Sequence, residues 1–103
     1  MAVTYLIKFE VVPDQRKRFL ALLNGVLDAM RSEPMFRHAF LHEDPEATNH
    51  FMLLETWACH EDVLEVQLKR SYREAWHQAL PELLSKPRDI TVWEPLRADI
   101  QRT

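Results

Sequence analysis

The tetrapeptide Phe51-Met52-Leu53-Leu54 constrains the fold more than any other stretch of the chain. Successive side chains of a β-strand point to opposite faces, so a run that is apolar at both parities must be covered from both sides. The neighbouring segments say where one cover comes from. Val3 to Val11 sets Val3, Tyr5, Ile7, Phe9 and Val11 against Thr4, Lys8 and Glu10, the pattern of a strand with one dry face. Beyond Pro13, residues Phe19, Leu22, Leu23, Val26 and Met30 recur at helical spacing. Glu33-Pro34 ends that helix, because the residue before proline avoids the α region. Phe36 to Glu43 and His50 to Ala58 read as strands joined by a turn over Asp44 to Asn49. His60 to Lys69 reads as a short helix. Ser71 with Glu74 then makes a capping-box pattern before a helix whose stripe is Tyr72, Ala75, Trp76, Ala79, Leu80 and Leu83, with Pro81 bending or ending it. Arg88 to Glu94 is a last strand. The order β-α-β-β-α-α-β predicts an α+β, ferredoxin-like fold, one domain over residues 1–103, with its helices on one sheet face. A second copy of the chain is the simplest cover for the other face, so a homodimer is expected.

Composition narrows the functional classes. Basic and acidic residues number 13 and 16 and are interspersed, giving a formal net charge of −3. No basic stripe exists to hold nucleic acid or an anionic membrane. The longest apolar run, Phe19 to Leu23, is far too short to span a bilayer, and the first residues lack the order of a signal peptide. One cysteine, Cys59, excludes an intrachain disulfide and a cysteine-based zinc site, and a cytoplasmic location fits these features. One glycine, Gly25, leaves no Gly-rich phosphate cradle and no dinucleotide fingerprint. Inside the first helix that glycine costs about 1 kcal/mol against alanine, and a close helix–sheet contact is the expected reason. The charged segment Arg97 to Thr103 is expected to fray or to reach across to a partner.

Glu33-Pro34, Leu41-His42-Glu43-Asp44-Pro45, Phe51 and Glu55-Thr56-Trp57, in that order and followed by a short helix, resemble the central signature of the antibiotic biosynthesis monooxygenase family. The similarity runs from Val3 to about Pro95. It implies a dimeric α+β barrel, with a pocket between sheet and helices in each subunit. It further implies oxygenation of a phenol or quinol by O₂ without flavin, haem or metal. Other members degrade haem, isomerise small metabolites or have no established activity, so an isomerase or a non-catalytic ligand-binding barrel is the alternative. The chain departs from the pattern at Met35, where glycine often follows Glu-Pro, and at Gln67, where a histidine is common. Ile7 stands near the position of the asparagine used by the haem-degrading branch, which argues against that chemistry.

Cofactor-free oxygenation needs a dry aromatic pocket and a group that takes a proton from an electron-rich substrate. Glu55 is the candidate base: it shares a strand face with Phe51, Leu53 and Trp57, and apolar surroundings raise a carboxyl pKa. The same carboxylate could instead pair with an arginine or cap backbone N–H groups. His38 is the second catalytic candidate. A hairpin centred between Glu46 and Ala47 would set it opposite Glu55, and a slip of one residue would turn it to the other face. Trp57, Phe51, Tyr72, Trp76 and Gln67 are the candidate substrate-binding residues, with packing as the alternative for the aromatic ones. His38 and His42 stand about 13 Å apart at strand rise, too far to share a metal, and no metal site is expected. His77 falls beside Arg73 on the polar flank of the last helix and reads as solvated, while His50 and His60 read as surface residues at element ends. The expected ligand is a small aromatic molecule.

Overall fold

Residues 1–101 are described by the structure, a computed structural model; the end of the C-terminal segment, Arg102 and Thr103, lies outside the described residues. Four strands and three α-helices follow in the order β1 (Val3–Glu10), α1 (Arg16–Met30), β2 (Phe36–Asp44), β3 (Ala47–Trp57), α2 (His60–Glu65), α3 (Glu74–Leu83) and β4 (Asp89–Trp93), with single 3₁₀ turns at Pro13–Gln15, Gln67–Lys69 and Ser71–Arg73. The strands form one antiparallel sheet in the order β2-β3-β1-β4, the ferredoxin-like α+β topology expected from the sequence.

Strand parity decides what is buried. The odd residues of β1 pair with Phe51, Leu53, Glu55 and Trp57 of β3, and this face meets the helices. α1 presents Phe19, Leu23, Val26 and Met30 to it, and α3 presents Trp76, Ala79, Leu80 and Leu83. The rings of Phe9, Phe19, Phe51 and Trp76 meet with centroids 4.9 to 5.8 Å apart, within the range of favourable aromatic pairs. The end of α3 returns to β1: Val12 N–H donates to Leu83 O and Ser85 N–H to Glu10 O. On the other face Leu6, Met52 and Leu54 are half-buried, and Phe40 and Trp93 remain 48% and 58% exposed. No helix among the described residues is long and apolar enough to cross a membrane.

Four expectations are corrected. Gly25 is exposed, and a Cβ built there meets nothing within 4 Å, so no close helix–sheet contact explains it. Among the described residues neither Ser71 nor any other side chain caps α3; Ser71 belongs to a 3₁₀ turn that enters the helix instead. Ala75 faces solvent while Arg73 points inward, because that turn rotates the stripe relative to an uninterrupted helix. The hairpin turn contracts to Pro45-Glu46, and β3 then bulges: Asp44 pairs with Ala47 but Glu43 already pairs with Phe51.

Candidate active site

A cavity of about 260 Å³ opens between the helix-facing side of the sheet and the helices. Its floor is Ile7, Phe9, Leu53 and Ile90, its walls include Leu23, Val26 and Met30 of α1 and Trp76 of α3, and Val63, Leu64 and Leu68 close one side. The strand and α-helix residues of this lining follow a periodicity of two in the strands and near 3.6 in the helices. Five polar groups interrupt the apolar lining: Tyr5, Glu55, Arg73, His77 and Arg88. A depression of about 370 Å³ on the sheet carries Lys8, Glu10, His42, Asp44, His50, Lys86 and Asp89. Within it Glu10 lies near both His50 and Lys86, and its lining is more polar, so the largely apolar cavity between sheet and helices is the better site for chemistry.

Glu55 is 7% exposed. Its one side-chain partner is Trp57, whose Nε1–H donates to Oε1 at 3.3 Å, and no ion pair joins it to an arginine among the described residues. Burial pushes the carboxyl above the ordinary glutamate range, against the opposing pull of Arg73, the Trp57 hydrogen bond and Arg88. Its cross-strand neighbour on the same face is Tyr5, whose hydroxyl lies 2.6 Å from Nδ1 of His60. Burial, and then the Glu55 charge, raise that phenol. Burial holds His77 below its usual range, helped by Arg88 and Arg73, so this imidazole is neutral at pH 7. Burial also draws Arg88 down, with Glu55 opposing. The arrangement therefore offers one proton-accepting carboxylate and two cations that favour negative charge on a ligand.

The residues singled out from the sequence part company here. Glu55 and Trp76 line the cavity. Trp57, fully buried, stands behind Glu55 and acts on it through the indole N–H. Phe51 packs on Phe19 and borders the sheet depression instead. Tyr72 donates to Glu33 Oε2 at 3.0 Å, with Gln67 Oε1 3.4 Å from the same hydroxyl, while buried Gln67 donates to Asp62, so neither lines the cavity. His38 is placed on the far side of the sheet: it pairs with Thr56, and Ala39 takes the place opposite Glu55. The expected His38–Glu55 pair is thus undone by a one-residue register difference. Arg73, Arg88, His77 and the Tyr5–His60 pair were not expected at the site. Only Tyr5 had a signal, its membership in the inward set of β1, and nothing in that alternation marked it as polar lining.

The sequence model of the antibiotic biosynthesis monooxygenase family matches residues 2–79. A protein of Pestalotiopsis microspora whose name classes it with monooxygenases is 29% identical over 93 residues, covering 89% of this chain and 78% of its own length. The solved structure of Rv0793 from Mycobacterium tuberculosis superposes with a TM-score of 0.84 at 24% identity, over 95% of this chain and 98% of that one. One from Nitrosomonas europaea, named for the same family, gives 0.85 at 14% identity over 92% and 90%. These two likenesses concern the fold.

Proposed function

The chain belongs to the antibiotic biosynthesis monooxygenase family, and from that premise we propose that it oxidises a small phenol or quinol with O₂ in the cavity between sheet and helices. One observation carries the reading: a buried carboxylate with a raised pKa, Glu55, lines a largely apolar cavity beside Tyr5, Arg73 and Arg88. Such a group takes a proton from a bound hydroxyl. The resulting phenolate, favoured by Arg73 and Arg88, gives one electron to O₂, and the radical pair joins as a peroxide at a ring carbon. Glu55 returns its proton to the distal oxygen; loss of the ring-carbon proton with hydroxide then leaves a carbonyl and water. A phenol and O₂ become a quinone and H₂O, so no flavin, haem or metal is needed for the balance. The apolar part of the lining, with Ile7, Leu53, Val26 and Trp76, limits the water that reaches the peroxide.

The working unit in this proposal is a homodimer, supported by the half-buried Leu6, Met52 and Leu54 and the exposed Phe40 and Trp93 on the open sheet face. A cytoplasmic location agrees with the free thiol of Cys59. The test is O₂ uptake by the purified protein, free of metal and flavin, across a panel of dihydroxybenzenes and hydroxynaphthalenes. Uptake should exceed that of buffer, and Glu55→Gln should lower turnover by about 10²-fold or more with ligand binding kept. Binding without uptake across the panel would favour an isomerase or a ligand-binding barrel.

A further inference from the structure

Resting on that reading of the cavity, we infer that its substrate carries a permanent negative charge, an aromatic carboxylate of one or two rings, and that Arg73 clasps it. Arg73 is 6% exposed, lines the cavity, and has two buried donors, Nε and Nη2, with no hydrogen-bond partner among the described residues. Buried donors are rarely left unpaired, because each has given up its hydrogen bonds to water without replacement. These two donors form one edge of the guanidinium, the edge that meets both oxygens of a carboxylate in a fork. Elsewhere in this molecule the same edge does so: Arg70 gives Nε and Nη2 to the two oxygens of Glu33 at 3.0 and 3.3 Å. The rings of Trp57 and Tyr72, with centroids 5.9 and 5.6 Å from the Arg73 guanidinium carbon, flank it within cation–π range, and their faces offer no hydrogen-bond acceptor of their own.

Charge balance points the same way. Arg73 and Arg88 bring two positive charges to the cavity, Glu55 at most one negative charge, and His77 none at pH 7. Moving a proton from a phenol to Glu55 leaves that total unchanged, so the phenolate alone does not neutralise the site. A ligand with one fixed anionic group does. The volume of about 260 Å³ lies just below the ~300–1,000 Å³ of pockets for drug-sized ligands, which limits the rings to one or two.

Anaerobic calorimetric titration separates this inference from the oxygenase reading, since binding is read without O₂. The probes are benzoate and 1-naphthoate, their carboxamides, and 1-naphthol. The wild-type chain should bind at least one carboxylate tenfold or more tighter than its carboxamide and than 1-naphthol. Arg73→Met should abolish that preference, and Arg73→Lys, which keeps the charge but loses the fork, should recover only part of it. Equal affinities for carboxylate and carboxamide, tighter binding of 1-naphthol, or no binding of any probe by the wild type would overturn the inference without recourse to a variant. A preference that survives in folded Arg73→Met would overturn the assignment to Arg73. O₂ uptake with neutral quinols in the absence of any carboxylate preference would leave the proposed activity standing and the anion site refuted; carboxylate preference without uptake by any substrate would do the reverse.

Discussion

Replacing Glu55 by glutamine should stabilise this protein, and only above a certain pH. Glutamine keeps the shape of the side chain and an oxygen to accept the Trp57 N–H, but removes a charge that is 7% exposed and has no ion-pair partner among the described residues. The folded-state pKa of Glu55 is raised, chiefly by burial. The folded chain therefore holds this proton more tightly than the unfolded chain does. Its stabilising contribution is complete below the unfolded pKa and is lost as pH rises through the folded one. Glutamine does not titrate. Leaving a buried polar group poorly satisfied costs about 1–3 kcal/mol, and part of this is offset by Arg73, Arg88 and the Trp57 bond, so a net gain of about 1 kcal/mol is expected at pH 7.5. In a domain of this size that is about 4–8 °C in Tm. Melting curves of both proteins followed by circular dichroism from pH 4 to 8 should show a Tm difference that starts near zero and grows with pH. A variant that melts below the wild type at pH 7.5 would refute the reasoning and make Glu55 a structural anchor of the core.

Gly25→Ala should raise stability by about 0.5–1 kcal/mol, seen in urea unfolding, because the position is helical, exposed and open around a new methyl group. Phe40→Glu places a charge on the open sheet face and should convert a dimer to a monomer in sedimentation equilibrium with the circular dichroism spectrum unchanged; a wild type that is already monomeric at micromolar concentration would contradict the dimer. Trp57→Phe removes the one side-chain donor to Glu55 among the described residues, so the acid limb of kcat/KM should move to higher pH, and an unmoved limb would deny Glu55 the role of base.

Strand parity was legible in the sequence because a buried face imposes a period of two; Val3, Tyr5, Ile7, Phe9, Leu53 and Trp57 are all where the alternation puts them. Hairpin register was not. The distance between β2 and β3 partners depends on a two-residue turn and a bulge at Glu43/Asp44, and the polar stretch from Asp44 to Asn49 carries no apolar pattern to reveal either. That is why Ala39, and not His38, sits across from Glu55. Arg73 escaped for a related reason. A 3₁₀ turn ahead of α3 rotates the chain, so the residue read on the polar flank turns inward and Tyr72 swings toward Glu33. Arg88 lies one residue ahead of β4, where the sequence reads a strand from Arg88 onward, and it keeps the inward parity of Ile90; a charged residue at the start of a strand gave no sign that it lines a cavity.

The most direct test of the central claim is the fate of molecular oxygen. With ¹⁸O₂ in the headspace and a hydroxylated aromatic that supports uptake, mass spectrometry of the quinone should show one atom of ¹⁸O per product molecule, the other having left as water. Product that takes its new oxygen from H₂¹⁸O, or a chain that incorporates no label into any substrate it binds, would contradict a monooxygenase built around Glu55.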